Sequence, residues 1–157
     1  MLKLYSYFRS SAAYRVRIAL NLKGLAHDTE FVHLIKDGGQ HTKPAYRALN
    51  PQALLPTLEH DGRTVTQSLA IIEYLDEIHP SPRLLPGDAE HRAKIRAFAL
   101  AIACDIHPLN NLRVLTYLKS PLAHEQAAVD TWYRHWVETG LAACEALLLA
   151  TPSKFCF

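Results

Sequence analysis

Three short stretches place hydroxyl, amide and proline groups at changes of secondary structure. Arg9-Ser10-Ser11 lies between a β-rich run and the first helical stretch. A helix N-terminus presents unpaired N–H groups and the positive end of a dipole, which favour an anion. With hydroxyl donors beside it, such a seat lowers a thiol from its free value of roughly 8.5 toward neutrality. Taken alone, serines at this position are ordinary helix caps. Leu54-Leu55-Pro56-Thr57 enters a strand. Proline cannot donate to a ladder, so it belongs at a strand start or a special turn. A cis Leu55–Pro56 bond would offer the Leu55 N–H and C=O to an extended peptide, and a trans bond would make Pro56 an ordinary edge proline. Gln67-Ser68 opens the next helix and is a second anion seat, suited to a carboxylate, or again a serine cap.

Other reactive residues carry less. The histidines (27, 33, 41, 60, 79, 91, 107, 124 and 135) show no HxxxH or HxH grouping, so no metal is assigned. His107 precedes Pro108 and reads as a cap or kink. Arg15 and Arg17 read as solvated helix charges, whereas Arg9 stands beside the thiolate seat, where fixed positive charge would serve an anionic intermediate. Trp132 and Trp136, four apart, read as packing. Cys104, Cys144 and Cys156 form no CxxC pair, which excludes a disulfide scaffold or thiolate metal site and suits a reducing cytosol.

The elements that must position these groups follow from periodicity. Residues 1–35 read as strand, helix, strand: a β run at Leu2, Leu4, Tyr5 and Tyr7, a helix turning Tyr14, Ile18, Leu22 and Leu25 to one side, a C-cap at Gly24, and a strand over residues 29–35. A strand, a crossover helix and a strand imply a right-handed parallel βαβ unit. Asp37-Gly38-Gly39 breaks the pattern, and residues 42–49 form at best a short irregular helix. Two β segments flank Asp61-Gly62, the signature of a type I′ hairpin. A helix to Ile78 follows, capped by Ser68, with Leu69, Ile72, Leu75 and Ile78 turned inward. Three prolines in residues 79–87 mark a linker. Beyond it the pattern is helical, with a stripe of Ile95, Phe98, Ile102 and Ile106 broken near His107-Pro108, and a long helix over residues 122–150.

The fold class is therefore α+β: a thioredoxin-like βαβ-ββα domain over residues 1–79, a linker over 80–87 and an all-α domain over 88–157. The chain has 157 residues, 49% of them hydrophobic, enough for a real core. Lys plus Arg number 17 against 15 Asp plus Glu, divided evenly between the halves, which argues against a nucleic-acid binder or a membrane-surface helix. No apolar run approaches the ~20 residues of a membrane span, and no export signal is visible at Met1. The expectation is a cytoplasmic protein. The apolar end at Phe155-Cys156-Phe157 suggests partner helices missing from the chain, or faces covered by another subunit.

On a thioredoxin-like plan, a thiolate seat, a peptide-pairing strand edge and a carboxylate seat, in that order, form a receptor for glutathione, whose sulfur, backbone and γ-glutamyl carboxylate match them. The stretch from Leu4 to Leu20, centred on Arg9-Ser10-Ser11-Ala12-Ala13-Tyr14-Arg15-Val16-Arg17, resembles the N-terminal signature of zeta-class glutathione transferases. That class includes glutathione-dependent maleylacetoacetate and maleylpyruvate isomerases. Asn50-Pro51 through Leu58, Gln67 through Leu75 and Cys104 through Leu115 are also similar to it.

The resemblance implies that Ser10, Ser11, Ala12, Ala13, Tyr14 and Arg15 surround the glutathione sulfur. It sets His41 and Leu55 along the peptide and Gln67 and Ser68 at the γ-glutamyl end, and it adds His107, Asn111, Leu112 and Arg113 from the helical domain. Where the class often has Ser-Ser-Cys, this chain has Ser10-Ser11-Ala12, so thiolate stabilisation rests on the serines and the helix end. The class also continues past the equivalent of Phe157 with a Gly-Asp-x-x-Thr-x-Ala-Asp-like segment and further helices. The implied activity is cis–trans isomerisation of maleylacetoacetate to fumarylacetoacetate: thiolate adds to the conjugated double bond, rotation follows and thiolate departs, with Ser10, Ser11 and Arg9 catalytic. A homodimer and a dicarboxylate substrate are implied with it. The alternatives are maleylpyruvate isomerase, a general glutathione transferase, or a shortened, non-catalytic glutathione-binding or interaction module.

Overall fold

The computed structural model describes residues 1–150 and 156–157; Phe155 of the apolar end lies outside them. The chain divides into two compact units, Met1–Pro86 and Gly87–Phe157.

In the first unit β1 (Leu2–Ser6) leads through a turn into α1 (Ser11–Leu22) and then β2 (Asp28–Phe31). Two 3-10 turns and α2 (Pro44–Leu49) precede the hairpin β3 (Thr57–His60) and β4 (Arg63–Thr66), and α3 (Ser68–Ile78) closes the unit. The sheet order is β2-β1-β3-β4, with β1 parallel to β2 and antiparallel to β3. Asp61 and Gly62 both have positive φ (49° and 77°), as a type I′ turn requires.

β1 is central and buried on both sides, so its alternation separates two cores. Leu2 and Leu4 join Val16, Leu20, Leu58, Ile71 and Leu75 under α1 and α3. Tyr5 and Tyr7 join Val32, Tyr46 and Leu55 on the other face. The inward side of α1 differs from the periodic expectation. Ala13, Val16, Ala19 and Leu20 are buried, whereas Tyr14, Ile18 and Leu22 are exposed. Small residues let α1 lie close to α3, and the bulky side chains that dominate the hydrophobic pattern are left outside. α1 ends in a Schellman motif, with Gly24 at φ 63° and the N–H groups of Gly24 and Leu25 bonded to the carbonyls of Asn21 and Leu20. β2 is shorter than expected because the His33 ring accepts from the N–H groups of Ile35 and Lys36 and turns the chain away.

An ion pair is sealed beneath the first unit. Lys23, whose side chain is fully buried, donates to Asp76 Oδ1 (2.7 Å) and to the carbonyls of His79 (2.6 Å) and Pro82 (2.8 Å). Asp76 accepts in turn from the N–H groups of Leu84 and Leu85. The proline-rich segment is thereby tied to the ends of α1 and α3.

The second unit contains α4 (Ala89–Leu100), a π-helical segment Ala101–Ile106, a 3-10 turn His107–Asn110, α5 (Leu112–Lys119) and α6 (Gln126–Leu149). The regular α-helix of the Ile95–Ile106 stripe ends at Leu100, before the proline. α5 has no separate periodic signature in the sequence, and α6 starts four residues later than the expected 122. At Gly140, α6 comes so close to the π-helical segment that an added Cβ would stand 2.3 Å from Ile106 Cγ1. No helix among the described residues is long and apolar enough to cross a membrane.

Two predictions follow from this packing. Burial alone would raise the Asp76 carboxyl, but hydrogen bonds from Lys23, Leu84 and Leu85 hold it below its ordinary value. The unfolded chain therefore takes up this proton at higher pH than the folded one. The resulting stability is present above roughly pH 4 and lost as pH falls through the depressed native value. Asp76→Ala leaves a buried ammonium unpaired and should cost about 3–5 kcal/mol in urea unfolding, with a smaller acid-side loss than in the parent chain. Gly140→Ala should destabilise by about 1–3 kcal/mol despite the better helix propensity of alanine. Combined with Ile106→Ala it should cost less than the sum of the two changes.

Candidate functional site

Turns at the strand–helix junctions position the candidate side chains. The Ser10 N–H bonds the Tyr7 carbonyl, closing the turn after β1. Ser10 is the N-cap of α1, its Oγ accepting from the Ala13 N–H at 3.2 Å. A hydroxyl that accepts from its own helix still has its proton to give outward. Ser11 begins the helix and is exposed, as is Arg9; Ala12 is half-buried, Ala13 buried and Tyr14 exposed.

The two arginines of α1 are not simply solvated. Arg17 Nη1 donates to Ser6 Oγ (2.9 Å) and the Tyr7 carbonyl (3.2 Å), and its guanidinium lies 5.1 Å from the Tyr14 ring centre. It clamps the turn that presents Ser10. Arg15 Nη1 reaches across to α3 and donates to Ser68 Oγ at 3.0 Å. The side chain expected near the sulfur seat thus engages the carboxylate seat.

At α3 the N-cap is Gln67, not Ser68, and its side chain makes no capping bond. Gln67 takes φ 70°, ψ 120° and its Nε2 donates to Gln52 Oε1 at 2.8 Å. Ser68 becomes the first helical residue, buried, with its oxygen turned to Arg15 instead of a helix amide. The first amides of α3 are consequently left without a side-chain cap from Gln67.

Between the two seats, Tyr46 Oη (2.7 Å) and Asn50 Nδ2 (2.9 Å) both donate to the Leu54 carbonyl, and Thr57 Oγ1 lies within hydrogen-bond distance of each. This buried knot holds the entrance to β3, where Leu55 is buried and the Leu55–Pro56 bond is cis. Burial lifts the Tyr46 hydroxyl above its usual range even though Thr57 and Asn50 pull the other way, so it stays a donor. Tyr46 and Asn50 escaped the sequence reading as positioning groups; the proximity of Asn50-Pro51 to Pro56 was the available signal. His41, in the 3-10 turn Gln40–Thr42, carries a buried Nδ1 without a partner among the described residues. Burial, and then the Arg47 charge, lower its basicity, which favours the neutral ring. Its ring packs on Gly39 (φ 90°), where a Cβ would stand 2.5 Å from Cε1.

In the second unit His107 begins the 3-10 turn, with its Nε2 3.4 Å from Asn111 Nδ2. Asn111 caps α5 by accepting from the Arg113 N–H; Leu112 and Arg113 are exposed on its first turn. Trp132 packs edge-on against Trp136 and donates to the Leu109 carbonyl at 2.9 Å, a structural role.

Residues 4–83 match the family model described as glutathione S-transferase, N-terminal domain. The chain is 48% identical over 153 residues to a probable maleylacetoacetate isomerase of Vibrio cholerae, covering 98% of this chain and 71% of that one. A solved holo maleyl pyruvate isomerase, described as a bacterial zeta-class glutathione S-transferase, is similar with a TM-score of 0.93 and 45% identity over 99% of this chain and 73% of that one. A maleylacetoacetate isomerase from Methylobacterium extorquens AM1, solved with bound malonate and GSH, is similar with a TM-score of 0.92 and 41% identity over 98% and 72%. The thioredoxin-like unit with its mixed four-stranded sheet, followed by a helical unit, and these relationships over nearly the whole chain lead to one assignment: this chain belongs to the glutathione S-transferase family, in the zeta-class branch of maleylacetoacetate and maleylpyruvate isomerases.

Proposed function

We propose that the protein is a glutathione-dependent cis–trans isomerase converting maleylacetoacetate to fumarylacetoacetate, a step in tyrosine and phenylalanine breakdown. The observation that carries the reading is Ser10 at the N-cap of α1: its oxygen accepts from the Ala13 amide, which leaves its proton to be donated to a ligand beside the positive end of a helix. When bound, glutathione supplies a sulfur nucleophile that makes a conjugated cis double bond transiently single. Ser10 and Ser11 hold that sulfur as thiolate, with the first turn of α1 through Ala12, Ala13 and Tyr14 around it, whereas Arg15 is turned to Ser68 at the γ-glutamyl end. The Tyr46–Asn50–Thr57 knot holds Leu55 for the peptide, with His41 beside it, and Gln67 and Ser68 receive the γ-glutamyl carboxylate. Arg9, exposed beside Ser10, stabilises the enolate charge that develops on a dicarboxylate substrate. The resemblance extends the ligand set to His107, Asn111, Leu112 and Arg113. A cytoplasmic homodimer belongs to the same proposal.

Maleylpyruvate is the second substrate to consider, because a solved maleyl pyruvate isomerase matches the fold as well as the maleylacetoacetate isomerases do. Competition between the two substrates for one preparation ranks them.

The test is turnover of maleylacetoacetate with substoichiometric glutathione. Many turnovers with the thiol recovered intact are expected; stoichiometric loss of thiol would mean a conjugating transferase, and no turnover with no binding would sink the reading. Ser10→Ala should raise the pKa of the bound thiol in an ultraviolet thiolate titration and cost about 1 kcal/mol of stability through the lost cap. Ser11→Ala should raise the thiol pKa with little effect on unfolding.

A further inference from the structure

We propose that Arg15 is a positioning residue for glutathione recognition, acting through Ser68 by fixing that hydroxyl as a donor toward the γ-glutamyl carboxylate. The inference rests on the proposed placement of that carboxylate at the start of α3. Three observations converge on it. Arg15 Nη1 lies 3.0 Å from Ser68 Oγ, across a gap of 53 residues in sequence. A guanidinium carries only donors, so in this contact Ser68 is the acceptor and its own proton is left for another group. A hydroxyl that accepts from a cation is also polarised into a stronger donor.

The second observation is the side chain of Gln67. At an ordinary helix start the N-cap side chain would consume one of the free amides. Here it turns to Gln52 instead, so the Gln67 side chain takes none of the first-turn N–H groups beside the Ser68 hydroxyl. The third is burial. Ser68 is 6% exposed, so its hydroxyl cannot freely exchange partners with water, and Arg15 is itself half-buried. Without the arginine, Ser68 Oγ would be free to rotate and accept from a helix amide, presenting a lone pair where a carboxylate needs a proton.

Arg15 therefore has no direct contact with the reacting sulfur to make. Its loss should move ligand affinity and KM for glutathione while leaving kcat at saturating glutathione and the bound thiol pKa in place. Calorimetry on the full chain would compare glutathione with γ-aminobutyryl-cysteinylglycine, the analogue without the γ-glutamyl α-carboxylate. Arg15→Gln should weaken glutathione roughly tenfold and the analogue by less than about twofold, the scale of a hydrogen bond to a charged group. Arg15→Lys, which keeps a cationic donor, should recover most of the affinity. Arg15→Gln combined with Ser68→Ala should bind no more weakly than Ser68→Ala alone, because both changes remove the same proton from the carboxylate. Equal weakening of both ligands by Arg15→Gln, or full additivity with Ser68→Ala, would reduce Arg15 to a brace between helices and overturn the inference. Failure of the parent chain to bind glutathione, or equal affinity for both ligands, would instead overturn the underlying carboxylate placement.

Discussion

The first turn of an α-helix has amide donors that its own backbone cannot satisfy, and the chemistry proposed for this chain depends on where two such turns are put. Burial of Leu2 and Leu4 on one face of β1 and of Tyr5 and Tyr7 on the other pins the central strand. That strand delivers the chain to Ser10, and the β3–β4 hairpin delivers it to Gln67. Small side chains on α1 then bring the helix close enough to α3 for one arginine to span them. A fold that closed either helix start beneath packed side chains would leave an anion no access to those amides.

The two seats solve the same problem by different means. At α1 the hydroxyl of the cap itself is retained, fixed by its own helix, with Arg17 clamping the preceding turn. At α3 the cap residue is displaced into a left-handed conformation and the hydroxyl one position later is fixed from outside. In both places a neutral side chain is made directional by occupying its acceptor side. On the proposed reading, such an arrangement would meet a thiolate or carboxylate with neutral hydroxyl donors already set in direction.

Much of the first unit was legible in its residues. The βαβ-ββα order, the Asp61-Gly62 turn, the Gly24 helix end and the serine at the start of α1 follow from local chemistry that the tertiary structure does not overrule. What was not legible depends on distance in sequence. Periodicity points to the wrong face of α1 because it weighs Tyr14, Ile18 and Leu22 heavily and alanines lightly, whereas close helix approach does the reverse. Ser68 has the local signature of a cap, and nothing local announces that Gln67 adopts a positive φ or that Arg15 arrives from 53 residues away. The roles of Tyr46 and Asn50 emerge only when the carbonyl they share is seen. In the second unit, the π-helical stretch before His107 and the tight contact of Gly140 with Ile106 answer each other, and neither has a signature within its own segment.

The sealed lysine bears on how small a piece of this chain could stand by itself. Its ammonium takes oxygens from the end of α3 and from Pro82, and the matching carboxylate takes amides from Leu84 and Leu85. The prolines that look like a flexible tether are thus wall material for the lower end of the first unit. Trimming the chain at residue 79 would strip a buried cation of one of its three acceptors and its counter-ion of two of its three donors. A fragment that keeps this ion pair and all of its hydrogen bonds extends at least to Leu85.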